Sequence, residues 1–127
     1  MNVVYLIARL LLGLVFFVFG LNGFLQFIPM GPMPTGLAGQ FIAALTQSHY
    51  MHFVSALQLL AGLLLLVNRY VPLAVAILAP IIVNIALFHT LMAPAGLPLA
   101  IVTSVLWIIV ATRVRSVFGG LLEQRVQ

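Results

Sequence analysis

Cysteine is absent from this sequence, and charged residues are rare. It has no cysteine and no lysine, and its single acidic residue, Glu123, stands against five arginines for a net charge of +4. Without cysteine the chain cannot cycle a disulfide or hold an iron–sulfur cluster, and one carboxylate near the C-terminus does not supply an ion relay through a membrane. So few basic residues also exclude a nucleic-acid binder. We therefore expect no metal centre and no nucleic-acid partner.

The same scarcity of charge defines the class of protein. Only 5% of the 127 residues are charged and 65% are hydrophobic, whereas a soluble domain carries about 25% charged residues. The chain is therefore expected to be an integral membrane protein in contact with the lipid bilayer. Its first apolar segment is too long for a signal peptide, contains Arg9 and lacks a small-residue cleavage site, so we expect it to be retained.

Four membrane-spanning helices fit the length of the chain. A bilayer core about 30 Å thick requires about 20 apolar residues per helix, and prolines and glycines divide the apolar tracts at suitable intervals. The Pro-rich run at 29–34 ends the first helix, and Pro72 lies at the first turn of the third. We predict an all-α single membrane domain, a four-transmembrane-helix bundle with helices at residues 3–28, 49–67, 71–92 and 97–115 and a short cytoplasmic tail at 116–127.

The connection between the first two spans carries its own helical pattern. Thr35 is a suitable N-cap, and Leu37, Phe41 and Leu45 recur at intervals of four residues. Residues 35–47 are therefore predicted to form a short amphipathic helix lying in the outer interface of the membrane. It is either a simple connector or a lid over a pocket.

The arginines predict the orientation of the chain. Four spans place both termini and the loop after the second span on one side, and all five arginines fall there, while the opposite loops carry no charge. By the positive-inside rule that side is cytoplasmic, in the inner membrane of a prokaryotic-type cell. We expect Arg9 to be an anchor that snorkels to the interface. The predicted topology anchors are Arg9, Arg69, Arg113 and Arg115.

Polar residues within the predicted spans are concentrated near their outer ends. Polar side chains in hydrocarbon need partners, so they should face inward and toward one another, either around an outer pocket or packed shut. Asn84 and His89 are five residues apart, about 140° around a helix, and can face one centre only with the bend expected at Pro80 or in a wide pocket. The residues concerned are Asn22, Gln26, His52, Ser55, Gln58, Asn84, His89, Thr103 and Ser104.

Each of these residues has more than one interpretation. Asn22 and Asn84 are either hydrogen-bonding links between helices or ligand contacts, and so is Gln58, which has four hydrogen-bonding groups to satisfy. His52 and His89 lie at similar predicted depth on different helices. Each is an interfacial hydrogen-bonder, a proton donor and acceptor for a redox ligand, or, less favoured, a haem ligand.

Three stretches of the chain resemble a known family. They are residues 9–24 with the Pro-rich loop that follows, residues 58–74 with their Asn-Arg-Tyr-Val-Pro turn, and residues 78–89. They resemble the first three helices of DoxX-like membrane proteins. The resemblance implies a four-helix membrane fold. It also implies a link to redox chemistry, because the family is named after the small subunit of a thiosulfate:quinone oxidoreductase and some relatives are linked to thiol-redox partners.

The resemblance does not identify a catalytic residue. Relatives often carry lysine where this chain has Gly23 and glutamate where it has Gln58, so a charge pair found in relatives is missing here. The motif positions that match are Asn22, Gln58, Asn84 and His89.

Two hypotheses follow for the function. In the first, the chain is one subunit of a quinone-linked oxidoreductase, not a complete enzyme, and works with a redox partner protein. A quinone would then lie in the outer polar pocket, where the candidate ligand-binding residues are Asn22, His52, Gln58, Asn84 and His89. In the second, it is a non-catalytic membrane anchor or accessory subunit whose polar cluster only fixes helix packing. A haem protein, or a carrier acting as an oligomer, is less favoured.

Overall fold

The computed structural model describes residues 3–29 and 31–125. Met30 of the Pro-rich run and the last two residues of the predicted tail lie outside the described residues. The described chain is helical and contains no strand. Its α-helices are α1 (Val3–Leu25), α2 (Gly36–Gln47), α3 (Tyr50–Val67), α4 (Val71–Leu91) and α5 (Leu97–Arg113), and 3-10 segments span Pro94–Gly96 and Arg115–Leu122.

Four of these helical segments are long and apolar enough to cross a membrane. They are α1, α3, α4 and the continuous segment Pro94–Arg113 that includes α5. At about 1.5 Å per residue, the 23 residues of α1 extend about 34 Å, which matches a bilayer core of about 30 Å. The predicted all-α membrane fold with four apolar helices is confirmed.

Two helix ends differ from the sequence prediction. α1 ends at Leu25, three residues before the predicted end, because Gln26 adopts a left-handed conformation (φ 51°) and donates its N–H to the carbonyl of Asn22 at 2.8 Å. Such a residue commonly closes a helix C-terminus. α5 ends at Arg113, and the chain then continues as a 3-10 segment instead of an α-helix.

The four long helices form a closed bundle. α1 packs against α3 and α5, and α4 packs against the same two helices, so α1 and α4 lie across the bundle from each other. The guanidinium of Arg113, at the end of α5, lies 5.6 Å from the ring centre of Tyr5 at the start of α1. The start of α1 and the end of α5 are therefore at one end of the bundle, called here the arginine end; the end that carries α2 is called the polar end.

The closest helix pair is α1 with α3, and glycines permit it. A Cβ atom on Gly20 would lie 2.6 Å from the backbone nitrogen of Leu59, and one on Gly62 would overlap the backbone of Phe17. Small residues of this kind let membrane helices approach backbone to backbone.

The hydrophobic core fills the half of the bundle toward the arginine end. Its fully buried side chains include Leu12, Phe16, Leu65 and Val110. Trp107 ties α5 to α4 by donating from Nε1 to the carbonyl of Val75 at 3.1 Å. Many leucine, isoleucine and valine side chains on the outer helix faces are exposed, as expected for surfaces that contact lipid.

Arg9 corrects one prediction. It does not snorkel to the interface: it is only 6% exposed, and its Nη1 donates to the carbonyl of Leu65. That carbonyl belongs to the last turn of α3, where carbonyls lack partners within the helix and the helix dipole attracts a cation. Within the described part of the chain, Nε of Arg9 has no partner. The other predicted anchors, Arg69, Arg113 and Arg115, are exposed.

Candidate ligand cavity

A cavity of about 690 Å³ lies inside the polar end of the bundle. α1, α3, α4 and α5 all contribute side chains to it, it is partly open to the outside, and Val15, Phe16, Phe19 and Ile85 supply apolar walls. None of the described residues that line it is an arginine, lysine, aspartate or glutamate. Its polar lining consists of Asn22, Gln26, Thr46, His49, His52, Ser55, Gln58, His89 and Thr103.

Most of the predicted ligand-binding residues meet at this cavity. Asn22, His52, Gln58 and His89 all line it, whereas Asn84 does not. The side chain of Asn84 is exposed on the bundle surface, where Nδ2 donates to the carbonyl of Pro80 at 2.8 Å. The expectation that Asn84 faces the polar cluster is therefore not met, because residues five apart point about 140° apart around a helix and His89 is the one that lines the cavity.

Asn22 is held in a fixed orientation by the end of α1. It is 8% exposed, and its Oδ1 accepts the backbone N–H of Ile28 at 2.8 Å. The N–H of Ile28 has left the helix and would otherwise lack a partner. Because Oδ1 is occupied, the Nδ2 amide group, which has no partner among the described residues, is the part of Asn22 that remains available to a ligand.

His89 is oriented by the loop between α4 and α5. Its Nδ1 lies 3.1 Å from the carbonyl oxygen of Ala93, and because a carbonyl only accepts, Nδ1 carries the proton. The ring rests on Gly96, where a Cβ atom would overlap the imidazole, and meets Phe88 edge-on with centroids 5.1 Å apart. In the neutral imidazole Nε2 is then a hydrogen-bond acceptor.

α3 contributes a column of polar side chains. His52, Ser55 and Gln58 recur every three residues and therefore share one face of the helix. Ser55 is 2% exposed and packs directly against Gly23, which leaves no room for a Cβ atom there. In the described part of the chain none of these three side chains makes a hydrogen bond, so their polar groups remain open to an occupant of the cavity.

Three rings form a stack beside the mouth of the cavity. Phe24 and His52 lie with centroids 5.4 Å apart and planes inclined by 11°, and His49 also stacks on His52, at 5.5 Å and 21°. Sequence reasoning assigned no specific role to His49. Its three-residue spacing from His52 was the available signal, but the left-handed backbone of His49 (φ 64°), which positions its ring, was not evident from the sequence.

The polar groups around the cavity do not link helices to one another. Thr103 and Ser104 both donate to carbonyls one turn earlier in α5, at 2.8 Å. Among the described residues, side-chain hydrogen bonds between spanning helices are made by Arg9 and Trp107, both toward the arginine end.

The described residues also contain no group of three or more histidine, cysteine, aspartate or glutamate side chains that could hold a metal ion.

Comparison with known proteins gives a family match. A family model described as DoxX matches residues 4–91, which is more than half of the chain. No curated protein matches the chain, and no solved structure does. The matched region contains α1 to α4, including Asn22, Gln58 and His89, and ends where α4 ends.

Proposed function

Because the chain belongs to the DoxX family of membrane proteins, we propose that it is a membrane subunit that binds a quinone or a similar ligand in the polar-end cavity and works with a redox partner protein. The observation that carries the proposal is the cavity itself. Its volume of about 690 Å³ lies within the range of about 300–1,000 Å³ typical of small-molecule sites.

The lining suits the head group of a quinone. Such a group is a flat, uncharged ring with oxygen atoms that need hydrogen bonds, carried on an apolar tail. Phe16 and Phe19 offer apolar contacts, while Asn22 offers its Nδ2 group and Gln58 offers its whole amide group. A partly open cavity inside a membrane bundle also leaves a route by which an apolar tail reaches lipid.

The chain is proposed to act as a subunit, not as a complete enzyme. It has no cysteine, and no charged side chain is found among the described residues that line the cavity. Electrons for the reduction or oxidation of a bound quinone must therefore come from, or pass to, a second protein that holds a redox group. The partner's contact surface would lie at the polar end, where the cavity opens.

Measuring the quinone that co-purifies with the protein tests this proposal. The protein is purified in mild detergent, and its quinone content is quantified by extraction and mass spectrometry. We expect Gln58→Leu to weaken quinone retention by roughly fivefold to a hundredfold, since an unpaired buried polar group on the ligand costs about 1–3 kcal/mol. The matched control is Asn84→Leu, which removes an amide from the bundle surface and should retain quinone at the level of the unsubstituted protein.

Two outcomes would contradict the proposal. One is a quinone content no greater than that of an unrelated membrane protein purified in the same way. The other is an equal quinone content in Gln58→Leu, Asn84→Leu and the unsubstituted chain. Either result would favour the alternative function, a non-catalytic anchor or accessory subunit. That alternative predicts side-chain hydrogen bonds between helices at the polar end, whereas among the described residues Thr103 and Ser104 each bond within α5.

A further inference from the structure

We propose that the cavity selects the reduced, hydroxyl-bearing form of its ligand, a neutral quinol, over the oxidised quinone. This inference rests on the proposed function, since it specifies the ligand of the same site. It comes from two lining residues whose hydrogen-bonding character is fixed by the backbone around them. Asn22 presents a donor, and His89 presents an acceptor.

The donor is the amide of Asn22. Its Oδ1 accepts from the N–H of Ile28 at 2.8 Å, so the side chain cannot rotate to present its oxygen to the cavity without leaving that N–H unpaired. Asn22 is also 8% exposed, which leaves little freedom for another orientation. The group facing a ligand is therefore Nδ2, which only donates.

The acceptor is Nε2 of His89. Nδ1 is committed to the carbonyl of Ala93 at 3.1 Å, and contact with Gly96 holds the ring in that position. A carbonyl cannot donate, so the proton of the neutral imidazole stays on Nδ1 and Nε2 keeps its lone pair. His89 lines the cavity, and Nε2 is the polar ring atom that the Ala93 contact leaves for a ligand.

The two groups act from opposite sides of the bundle. Asn22 belongs to α1 and His89 to α4, the helices that lie across from each other. A quinol meets both requirements, because one hydroxyl donates to Nε2 of His89 and the oxygen of the other accepts from Nδ2 of Asn22. Both oxygens of a quinone only accept, so one of them would face the lone pair of Nε2 without a hydrogen bond.

Three other polar lining residues do not oppose this discrimination. Ser55 and Gln58 each offer a donor and an acceptor, so they adapt to either form of the ligand. Thr103 donates its hydroxyl to the carbonyl of Leu99 and has only an acceptor left, which also suits a quinol. Charged side chains are absent from the described lining, which favours a neutral ligand over a carboxylate or an ammonium compound.

The test compares three short-tailed ligands: a quinol, the corresponding quinone and the dimethyl ether of the quinol. Binding to the purified full chain is measured by equilibrium dialysis without oxygen, at a pH where histidine is neutral. A chemical reductant can keep the quinol reduced without altering the protein, because the chain has no cysteine. We expect the quinol to bind roughly tenfold more tightly than the quinone or the dimethyl ether, neither of which can donate to His89.

Variants assign the preference to His89. His89→Gln offers both a donor and an acceptor and should bring the quinol-to-quinone affinity ratio close to one, while quinone still binds. Gly96→Ala, which displaces the ring, should have the same effect by a different route. Gln58→Leu is the control that should weaken both ligands and retain the ratio. Size-exclusion profiles and melting temperatures verify that each variant is folded.

The results separate this inference from the proposed function. Equal affinities for quinol and quinone in the unsubstituted protein would overturn the selection and leave quinone binding in place. An unchanged ratio in His89→Gln would also overturn it. Failure of the unsubstituted chain to bind any of the three ligands would overturn both proposals.

Discussion

The two polar atoms of the Asn22 side chain have different roles: one bonds to the backbone, and the other is available to the cavity. Its Oδ1 satisfies the N–H of Ile28 just beyond the end of α1, and its Nδ2 remains free of protein partners in the described chain. Asn84 has the same chemistry but a different setting, because it bonds to the carbonyl of Pro80 in its own helix and is exposed. The pair therefore allows the effect of position to be separated from the effect of residue type.

Replacing Asn22 should destabilise the protein. In Asn22→Leu the N–H of Ile28 loses its acceptor in a part-buried position, which costs about 1–3 kcal/mol of unfolding free energy. In Asn84→Leu the loss should stay below about 0.5 kcal/mol, since an exposed side chain bonded within its own helix is replaced. The measurement is detergent-solubilised unfolding followed by circular dichroism. Equal stability losses in the two variants would show that the Asn22 bond contributes little.

The residues of the candidate site were predictable to different degrees. Asn22, Gln58 and His89 could be predicted to face inward because a polar group in hydrocarbon requires a partner or a cavity. The position of Asn84 could not, because the rotation of α4 about its axis depends on packing against α3 and α5. The burial of Arg9 could not be predicted either, because it depends on a carbonyl 56 residues away.

At the scale of elements, the contact of α1 with α3 organises the bundle. Gly20 and Gly62 bring the two backbones together, and the cavity lies alongside this contact, where Phe16 and Gln58 line it. The closeness of the two helices also brings Ser55 against Gly23. A change in the separation of α1 and α3 would therefore alter both the stability of the bundle and the shape of the cavity.

Gly62→Ala tests this contact. The added methyl group would overlap the backbone of Phe17, so the helices must move apart, with a stability loss of roughly 1–3 kcal/mol. Gly119→Ala is the matched control, because open space surrounds Gly119 and no loss is expected. Thermal unfolding of both variants in the same detergent gives the comparison. Melting temperatures that do not differ would contradict the close packing of α1 and α3.

The existence and number of the spanning helices could be predicted from the sequence, because length, hydropathy and proline positions act locally. The end of α1 was less predictable: it is determined by the left-handed conformation of Gln26, before the proline run is reached. The ring stack of Phe24, His49 and His52 was also beyond prediction, because it depends on how the turn between α2 and α3 directs His49.

At the scale of the whole molecule, the start of α1 and the end of α5 lie at the arginine end and the cavity lies toward the other end. If the arginine end is cytoplasmic, as the positive-inside rule predicts, then the cavity opens on the opposite side of the membrane. A redox partner would then be exported, or anchored with its catalytic domain on that outer side. The orientation therefore decides in which compartment the partner should be sought.

Cysteine labelling tests the orientation directly. The unsubstituted chain has no cysteine, so any label on a variant with one introduced cysteine is attached at the substituted position. In intact cells a membrane-impermeant maleimide should label Gln40→Cys, in α2, and should label Ser116→Cys only after the membrane is permeabilised. The reversed pattern would place the arginine end outside and the partner in the cytoplasm.

The contact between Arg9 and Leu65 joins two parts of the chain that are synthesised at different times. Arg9 lies in the first helix to leave the ribosome, whereas the carbonyl that accepts from it is made 56 residues later, near the end of α3. Until α3 has been made, the guanidinium of Arg9 lacks the carbonyl that accepts from it in the folded bundle. The buried contact of Arg9 can therefore form only after α3 has packed against α1.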